Sequence, residues 1–347
     1  MILKKKQFWG TLIAIALLAF CVKDIRIADL QTLSHRLDLT YLIPTIVCGF
    51  LFIFIKGLRW RIFAAPQKWI RPFRAISLYS AGQVINIVMP ALAGQVGRLF
   101  LFSKTEGLKK TFVFSTIVLE ILLDSLSLIV FLLLTSVAFV VPDQYRTVGY
   151  ILAAATVFVF VLLYLILHFQ HRIEESAAKH LRHRWPGFYI GVKKFLRSFV
   201  QGINLLRSTQ HFATTFGYSI VAWIFHTSVI FFLLRSFGFH LPFAAAASVM
   251  IINTLALMIP ITPGNAGTFE VAVSTSLLAF SVPRTDAVLF ALALHLLDLL
   301  PIVTLGFIFL RQERLSLREI KNQHEDDELY SHVSEEGTFV ETEEESL

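Results

Sequence analysis

The sequence predicts an all-α integral membrane protein with six transmembrane helices and two re-entrant hairpins of broken helices, arranged as an inverted repeat. Three observations lead there: an unusually apolar composition, apolar runs of membrane-spanning length, and two interrupted runs with matching motifs. Hydrophobic residues make up 56% of the 347 residues and charged residues only 16%, against about 25% charged in soluble domains. A soluble globular protein is excluded because so apolar a chain has too few polar groups to cover its surface.

Six apolar runs are long enough to cross a bilayer, which takes about 20 helical residues. They are residues 7–22, 39–55, 111–141, 148–168, 212–234 and 287–310. The first run follows three lysines and resembles a signal peptide, but no small-residue cleavage site follows it, so we expect a retained helix. The runs are too continuous for an outer-membrane barrel, whose strands alternate apolar and polar residues.

Two further apolar stretches, residues 75–102 and 243–280, are broken by proline and glycine near their middles. Each is either one interrupted span or a re-entrant hairpin, and the basic residues distinguish these alternatives. Twenty-four Lys and Arg lie at residues 4–6, 56–74, 104–110, 172–207 and 311–321. All of them can face the cytoplasm only if both stretches return to the side they entered from. The positive-inside rule therefore favours two hairpins and places both termini in the cytoplasm.

The chain divides into a basic membrane domain, residues 1–311, and an acidic tail. Residues 312–347 hold 12 of the 24 acidic residues but only three bases. A segment so charged and so poor in apolar residues is expected to be a disordered cytoplasmic tail.

The two broken stretches share one motif. Pro90-x3-Gly94-x2-Gly97 in the first matches Pro260-x3-Gly264-x2-Gly267 in the second, and each has an asparagine upstream, Asn86 or Asn253. In the topology derived from charge, the spans around the two copies run in opposite directions, as in the inverted repeats of transporters. A broken helix must line a protein or water cavity, and the N-termini of the returning half-helices, near residues 94–98 and 265–270, would there favour an anionic group.

Several charged residues fall within these stretches. Arg98 is the one base, apart from histidine, that we expect inside the membrane. It would bind an anionic headgroup, or extend to the interface, or pair with an acid. The acids and the nearby histidine are Glu120, Asp124, Glu270, His295 and Asp298. Because intramembrane carboxylates cost about 2.5–3.5 kcal/mol each, we expect them to serve proton or cation coupling or to pair with Arg98. For Glu270 the alternative is to cap the N-terminus of a helix.

The sequence contains no signature of a catalytic or metal centre. His295 and Asp298 have no further ligand at metal-binding spacing, and the two cysteines both lie in apolar runs. Nucleotide-binding and nucleophile motifs do not occur. We therefore expect a protein that is not an enzyme, with no cofactor, no metal and no nucleic-acid partner.

The hairpin residues resemble a known family. Asn86-x3-Pro90-x3-Gly94-x3-Arg98, together with Ile259-Pro260-Ile261-Thr262-Pro263-Gly264, Gly267 and Glu270, is similar to the flippase-like transmembrane region of lysylphosphatidylglycerol synthetases and their stand-alone relatives. The resemblance covers about residues 7–310 and implies movement of aminoacylated or other lipids between leaflets. It also implies where a headgroup would bind. The positions are Asn86, Pro90, Gly94, Arg98, Asn253, Pro260, Pro263, Gly264, Gly267 and Glu270, with Glu120 nearby.

The chain departs from the family pattern at three positions. Gln95 stands where an acid often follows the first glycine, Ile121 where a base often follows the third-span glutamate, and Asn265 where the second loop usually has a second glycine. We expect no catalytic domain like that of the full synthetases, since about 36 residues after the last span are too few for one.

The resulting functional prediction is a lipid translocase of the bacterial cytoplasmic membrane, acting on a phospholipid or another anionic or aminoacylated lipid. Its partners would be membrane lipids and a lipid-modifying enzyme. Two alternatives stay open: a secondary transporter of a small anion, and an accessory protein of a lipid-modifying enzyme. The oligomeric state is not predicted.

Overall fold

The computed structural model describes residues 15–21, 23, 37–88, 92–138, 143–181, 186–204, 208–257 and 262–312. Across these residues the regular structure is helical throughout, with no strand. Three sequence predictions lie largely or wholly outside them: most of the first span, the prolines Pro90 and Pro260, and the acidic tail. Within the first span, residues 15–21 are helical.

Ten α-helices follow one another along the described residues. A 3-10 turn at Leu39–Tyr41 leads into the first, and another at Pro263–Asn265 precedes the ninth. The helices are α1 (Leu42–Ala64), α2 (Pro72–Val88), α3 (Leu92–Glu106), α4 (Lys110–Ala138), α5 (Asp143–Leu181), α6 (Pro186–Ile203), α7 (Thr209–Ser236), α8 (Phe243–Leu257), α9 (Thr268–Leu278) and α10 (Arg284–Gln312).

Five helical segments are long and apolar enough to cross a membrane, and they coincide with five of the six predicted spans. They are Leu39–Ala64, Lys110–Ser136, Ala153–Ser176, Thr209–Ser236 and Arg284–Phe309. Two predicted spans have other bounds in the structure: the span expected at 39–55 continues to Ala64, and the span expected at 148–168 lies at Ala153–Ser176. Lys56 does not end the helix because its ammonium group finds a partner inside the protein instead of in water.

Large apolar side chains also cover the outside of these helices. Phe158 and Tyr164 of α5 are 68% and 64% exposed, and Leu134 of α4 is 66% exposed. A contiguous apolar exterior is unfavourable in water and favourable against lipid tails, so these faces fit a membrane-embedded body.

Helices α1–α4 and α7–α10 correspond in order and in their contacts. Helix α1 packs against α7. The contacts α1–α2, α2–α3 and α3–α4 recur as α7–α8, α8–α9 and α9–α10, and the contact of α2 with α10 recurs as that of α8 with α4. The buried apolar residues form two clusters, one around residues such as Leu78 and Phe112 and the other around Met250 and Phe290, and both sets of helices contribute to each cluster. Helices α5 and α6 connect the halves and pack on α4.

The two broken stretches form the pairs α2–α3 and α8–α9. In the first pair the helices approach closely at Gly94, where a Cβ atom would lie 2.8 Å from the Cα of Asn86. In the second pair the 263–265 turn contacts α2, and a Cβ on Gly264 would lie 3.5 Å from Cγ2 of Ile87. The ends of the two helix pairs therefore meet inside the protein.

Candidate functional site

A buried cluster of charged side chains lies between α1, α3 and α4. We call it the basic cluster, and it consists of the bases Lys56, Arg59 and Arg98 and the carboxylates Glu120 and Asp124. Lys56 and Arg59 share one face of α1 at a spacing of three residues, and Glu120 and Asp124 share one face of α4 at a spacing of four. Arg98 reaches the same place from α3, with its Cγ packed against Gly82 of α2.

Asp124 holds the two bases of α1. Its Oδ2 accepts a hydrogen bond from Nζ of Lys56 at 2.8 Å, and its Oδ1 accepts one from Nη1 of Arg59 at 2.6 Å. The indole Nε1 of Trp223 on α7 donates to Oδ1 at 3.2 Å, and Nη1 of Arg59 also donates to Oγ of Ser219 on the same helix at 2.6 Å. One carboxylate thus links both halves of the molecule.

Glu120 holds the base of the first hairpin. Its Oε2 accepts a hydrogen bond from Nη2 of Arg98, and its Oε1 accepts one from the hydroxyl of Tyr79 on α2 at 2.8 Å. Nη2 of Arg59 lies 3.6 Å from the same Oε1. Of the interpretations left open for Arg98, pairing with an acid is thus what the structure shows, and extension to the interface is wrong because the side chain is 3% exposed.

The basic cluster holds more positive than negative charge. Three bases face two carboxylates, and Lys56, Arg59, Arg98 and Glu120 are each at most 6% exposed. Among the described residues, the buried Nε atoms of Arg59 and Arg98 have no hydrogen-bond partner. A net positive charge with spare donors in apolar surroundings favours an added anion, since buried charge is strongly unfavourable unless it is balanced.

Two members of this cluster contradict a sequence prediction. Arg98 was expected to be the one non-histidine base in the membrane, and Lys56 and Arg59 were counted among cytoplasmic residues 56–74. Both lie buried within the candidate span Leu39–Ala64, which also contains Arg61, so three bases of that group, Lys68, Arg71 and Arg74, lie beyond the span. The signal available in the sequence was that apolar residues continue past both bases, through Trp60 and Phe63 to Ala64.

A second site joins α9 to α10. Nδ1 of His295 lies 2.7 Å from Oε1 of Glu270, and Nε2 of the same ring lies 3.1 Å from the carbonyl oxygen of Gly264. Oε2 of Glu270 accepts a hydrogen bond from the backbone N–H of Gly267 at 2.6 Å, so Glu270 also caps the N-terminus of α9. The capping interpretation of Glu270 is confirmed, and its carboxylate occupies the helix end where we expected an external anion.

A third contact joins α7 to α10. Nε2 of His226 lies 3.3 Å from Oδ2 of Asp298, and the imidazole stacks on Phe52 with the ring centroids 4.8 Å apart. His295 and Asp298, which the sequence places on one side of the last span, therefore bind different partners. The structure brings Arg98, Glu120 and Asp124 together, and it places Glu270, His295 and Asp298 elsewhere.

Comparison with known proteins identifies the relatives of this chain. The profile of a family described as the lysylphosphatidylglycerol synthase TM region matches residues 7–306. The chain belongs to this family. A UPF0104 membrane protein of Methanocaldococcus jannaschii is 23% identical in an alignment of 285 residues that covers 77% of this chain and 83% of that protein. One of Methanothermobacter thermautotrophicus is 24% identical in an alignment of 279 residues that covers 74% of this chain and 81% of that protein. No solved structure matches.

The structure accounts for two of the departures from the family pattern. Asn265 has a φ of 58°, a left-handed conformation in which glycine is favoured and asparagine is among the few tolerated residues. Ile121 is 53% exposed and lies on the outer side of α4, away from Glu120. The base that the family often has there is thus not needed for the cluster, in which Lys56 and Arg59 supply the charge.

The remaining predicted positions line the two hairpins. Asn86 and Gly94 form the close contact between α2 and α3, and Asn253 is buried in α8 with its Oδ1 unpaired among the described residues. The backbones of Pro263, Gly264 and Gly267 form the turn that leads into α9. In the part of the chain that the structure describes, no three His, Cys, Asp or Glu side chains are grouped as metal ligands.

A groove opens beside the basic cluster. It has a volume of about 1000 Å³ and is lined by residues of α1, α6, α7 and their connections, including Ile62, Trp69, Gln201, His211 and Thr214. Ile62 lies three residues beyond Arg59 on α1, and Thr214 lies five residues before Ser219 on α7. The lining residue Ile62 is therefore about one helical turn along α1 from Arg59.

Proposed function

We propose that this membrane protein is a flippase-like lipid translocase that binds the phosphate of a lipid headgroup at the basic cluster. The single observation that carries the proposal is the unbalanced charge of the cluster, with three buried bases against two carboxylates. A phosphate oxygen would accept from the spare guanidinium donors, an interaction in which arginine is favoured over lysine for its planar set of donors.

The groove beside the cluster supports a lipid as cargo. Its lining combines apolar and neutral polar side chains, which suits a molecule with an acyl part and a polar head. The exposed apolar faces of α4 and α5 place this groove in a body surrounded by lipid. A lipid could then reach Arg59 without leaving the membrane.

We further propose that α2–α3 and α8–α9 are re-entrant hairpins of an inverted repeat. At a rise of about 1.5 Å per residue, the 17 residues of α2, the 15 of α3 and of α8 and the 11 of α9 are about 16–25 Å long, less than the roughly 30 Å of hydrocarbon in a bilayer. Helices of this length, whose ends meet at Ile87 and Gly264, reach the membrane interior and return.

The remaining parts of the proposal concern location and chemistry. We place the protein in the bacterial cytoplasmic membrane, with both termini in the cytoplasm, because the bases that flank the spans then lie inside. We infer transport and not catalysis, with no cofactor involved. Membrane lipids are the proposed partners, and a lipid-modifying enzyme that supplies the lipid is a further one.

Leaflet exchange in proteoliposomes tests the proposal. The purified full chain is reconstituted with fluorescent anionic or aminoacylated phospholipid. The exchange rate is compared among wild type, Arg98→Ala, Glu120→Gln and the matched control Arg235→Ala. The control removes a base at the end of α7 that contacts His240. We expect exchange by wild type, by the control and by Glu120→Gln, which keeps the excess of bases, and at least a tenfold loss in Arg98→Ala, about 1.4 kcal/mol of lost binding.

A second arm distinguishes a lipid from a free anion. Uptake of radiolabelled inorganic phosphate is measured in the same vesicles. If the vesicles take up phosphate but do not exchange lipid, the translocase proposal is wrong and the protein is a small-anion transporter. If folded wild-type protein supports neither, the stand-alone transport proposal is wrong and an accessory role with a lipid-modifying enzyme takes its place.

A further inference from the structure

The hydrogen bonds around His295 fix the number of protons that this site holds. The carbonyl oxygen of Gly264 can only accept, so Nε2 of His295 carries a proton and donates it across 3.1 Å. A neutral imidazole has one N–H only. The 2.7 Å contact between Nδ1 and Oε1 of Glu270 therefore needs a second proton, carried either by the ring or by the carboxyl group.

The site thus holds one proton more than a neutral histidine beside an ionised glutamate would. When this proton leaves, the single remaining N–H can serve only one of the two partners. A hydrogen bond to a carboxylate is about twice as strong as one to a neutral carbonyl. The remaining proton of the ring therefore lies on Nδ1 and is donated to Glu270. Nε2 then presents a lone pair to the oxygen of Gly264, and that contact becomes repulsive.

The surroundings prevent the ring from relieving this repulsion by turning away. His295 stacks on Phe269, with ring centroids 4.3 Å apart and an interplanar angle of 17°. Glu270 is held by the N–H of Gly267 at the start of α9. The part that can move is the 263–265 turn, whose Gly264 has a φ of 60° and packs against Ile87 at the end of the first hairpin.

We propose that Glu270 and His295 form a single proton-binding site that latches the 263–265 turn to α10. With the proton bound, Gly264 is tied to His295. Loss of the proton to solution releases the turn, and with it the contact between the two hairpins at Ile87. The proposal does not depend on the identity of the cargo, and it assigns proton coupling to the second half of the molecule and not to Glu120 or Asp124.

The other ionisable groups near this site already have partners. Asp298 on α10 binds His226 of α7, and α8 has no ionisable side chain. Cys21 of the helical segment 15–21 lies within electrostatic range of Glu270 and of Arg284. Helix α1 carries the buried thiol of Cys48. The other ionisable side chains of α1 and α2 have partners: Arg74 and Tyr79 bind Glu106 and Glu120, Lys56 and Arg59 bind Asp124, and Arg61 binds the carbonyl oxygen of Ile70. The proton therefore resides with Glu270 and His295.

Electron paramagnetic resonance of a nitroxide in the turn tests the latch. The label is attached to Ala266→Cys in the full chain, with Cys21 and Cys48 replaced by alanine, and spectra are recorded in nanodiscs at about pH 5.5 and about pH 8.5, on either side of the range in which histidine ordinarily titrates. We expect an immobile label at low pH and a several-fold larger mobile fraction at high pH.

Three variants distinguish the Glu270–His295 site from the neighbouring contact between His226 and Asp298. Glu270→Gln keeps the cap and donates to Nδ1, so the label should stay immobile at both pH values. His295→Gln should remove the pH response, and the matched control His226→Gln should retain it. A response that is absent in the parent, or that persists in Glu270→Gln or His295→Gln, overturns the proposal. Because no lipid transport is measured, this result is independent of the translocase test.

Discussion

The two halves of the molecule use the same helix order but hold different kinds of charge. In the half formed by α1–α4, the buried bases are Lys56, Arg59 and Arg98, residue types whose ordinary pKa values lie far above neutral pH. In the half formed by α7–α10, the buried bases are His226 and His295, the side chains that ordinarily titrate near neutral pH. The first half therefore carries a permanent charge, and the second can change its charge.

This difference suggests separate tasks for two charged residues that come shortly after the repeated motif. Arg98 lies one residue after the second glycine of the first motif, and Glu270 lies three residues after that of the second. Arg98 is paired, yet belongs to a cluster with positive charge in excess, which suits an anion. Glu270 is bound to a helix end and a histidine, which suits a proton. A repeated scaffold thus supports binding on one side and a proton-dependent contact on the other.

The largest expected effect is a difference in stability between variants that remove a buried carboxylate from one half or from the other. Asp124→Ala leaves Lys56 and Arg59 buried without their partner, and breaking a buried ion pair in this way destabilises by about 3–5 kcal/mol. Asp298→Ala leaves His226, which can become neutral, so we expect about 1 kcal/mol, the value of one hydrogen bond. Equilibrium unfolding in mixed SDS and detergent micelles measures both.

The double variant Asp124→Ala, Lys56→Met serves as the control, because it removes one of the two stranded charges and should recover part of the loss. Equal destabilisation by Asp124→Ala and Asp298→Ala would contradict the distinction between permanent and titratable charge.

A second prediction concerns the charge excess. Lys56→Met neutralises the cluster to two bases and two carboxylates, so we expect the affinity for an anionic headgroup to fall about tenfold, or about 1.4 kcal/mol. Binding of short-chain anionic lipid by isothermal calorimetry provides the measurement. Lys56→Arg, which keeps the charge, should bind like wild type, and unchanged affinity in Lys56→Met would show that the excess charge is not used.

The smallest expected effect lies in the turn of the second hairpin. Asn265→Ala places an alanine at a φ of 58°, which costs about 1 kcal/mol for a residue other than glycine or asparagine. Asn265→Gly should be tolerated, since it restores the residue usual in the family. Thermal unfolding of both variants distinguishes a conformational requirement from a side-chain contact: a large loss in Asn265→Gly would point to the latter.

Composition and hydropathy were sufficient to predict the helices. An apolar run of about 20 residues has few stable alternatives to a membrane helix, because backbone groups in lipid must be satisfied within the segment. The four-residue spacing of Glu120 and Asp124 also predicted their shared face, and the matching motifs indicated which stretches form helix pairs.

The sequence alone did not reveal the partners of the charged residues. Lys56 and Arg59 follow an apolar run as cytoplasmic anchors do, and only the position of α4 and α7 beside α1 shows that Asp124 and Ser219 bind them. Likewise, His295 and Asp298 are neighbours on one helix, yet His295 contacts Glu270 of α9 and Asp298 contacts His226 of α7. Helix formation depends on residues that are near in sequence, whereas the pairing of buried charges depends on which helices pack together. The local sequence pattern therefore determined the spans, and tertiary packing decided the site.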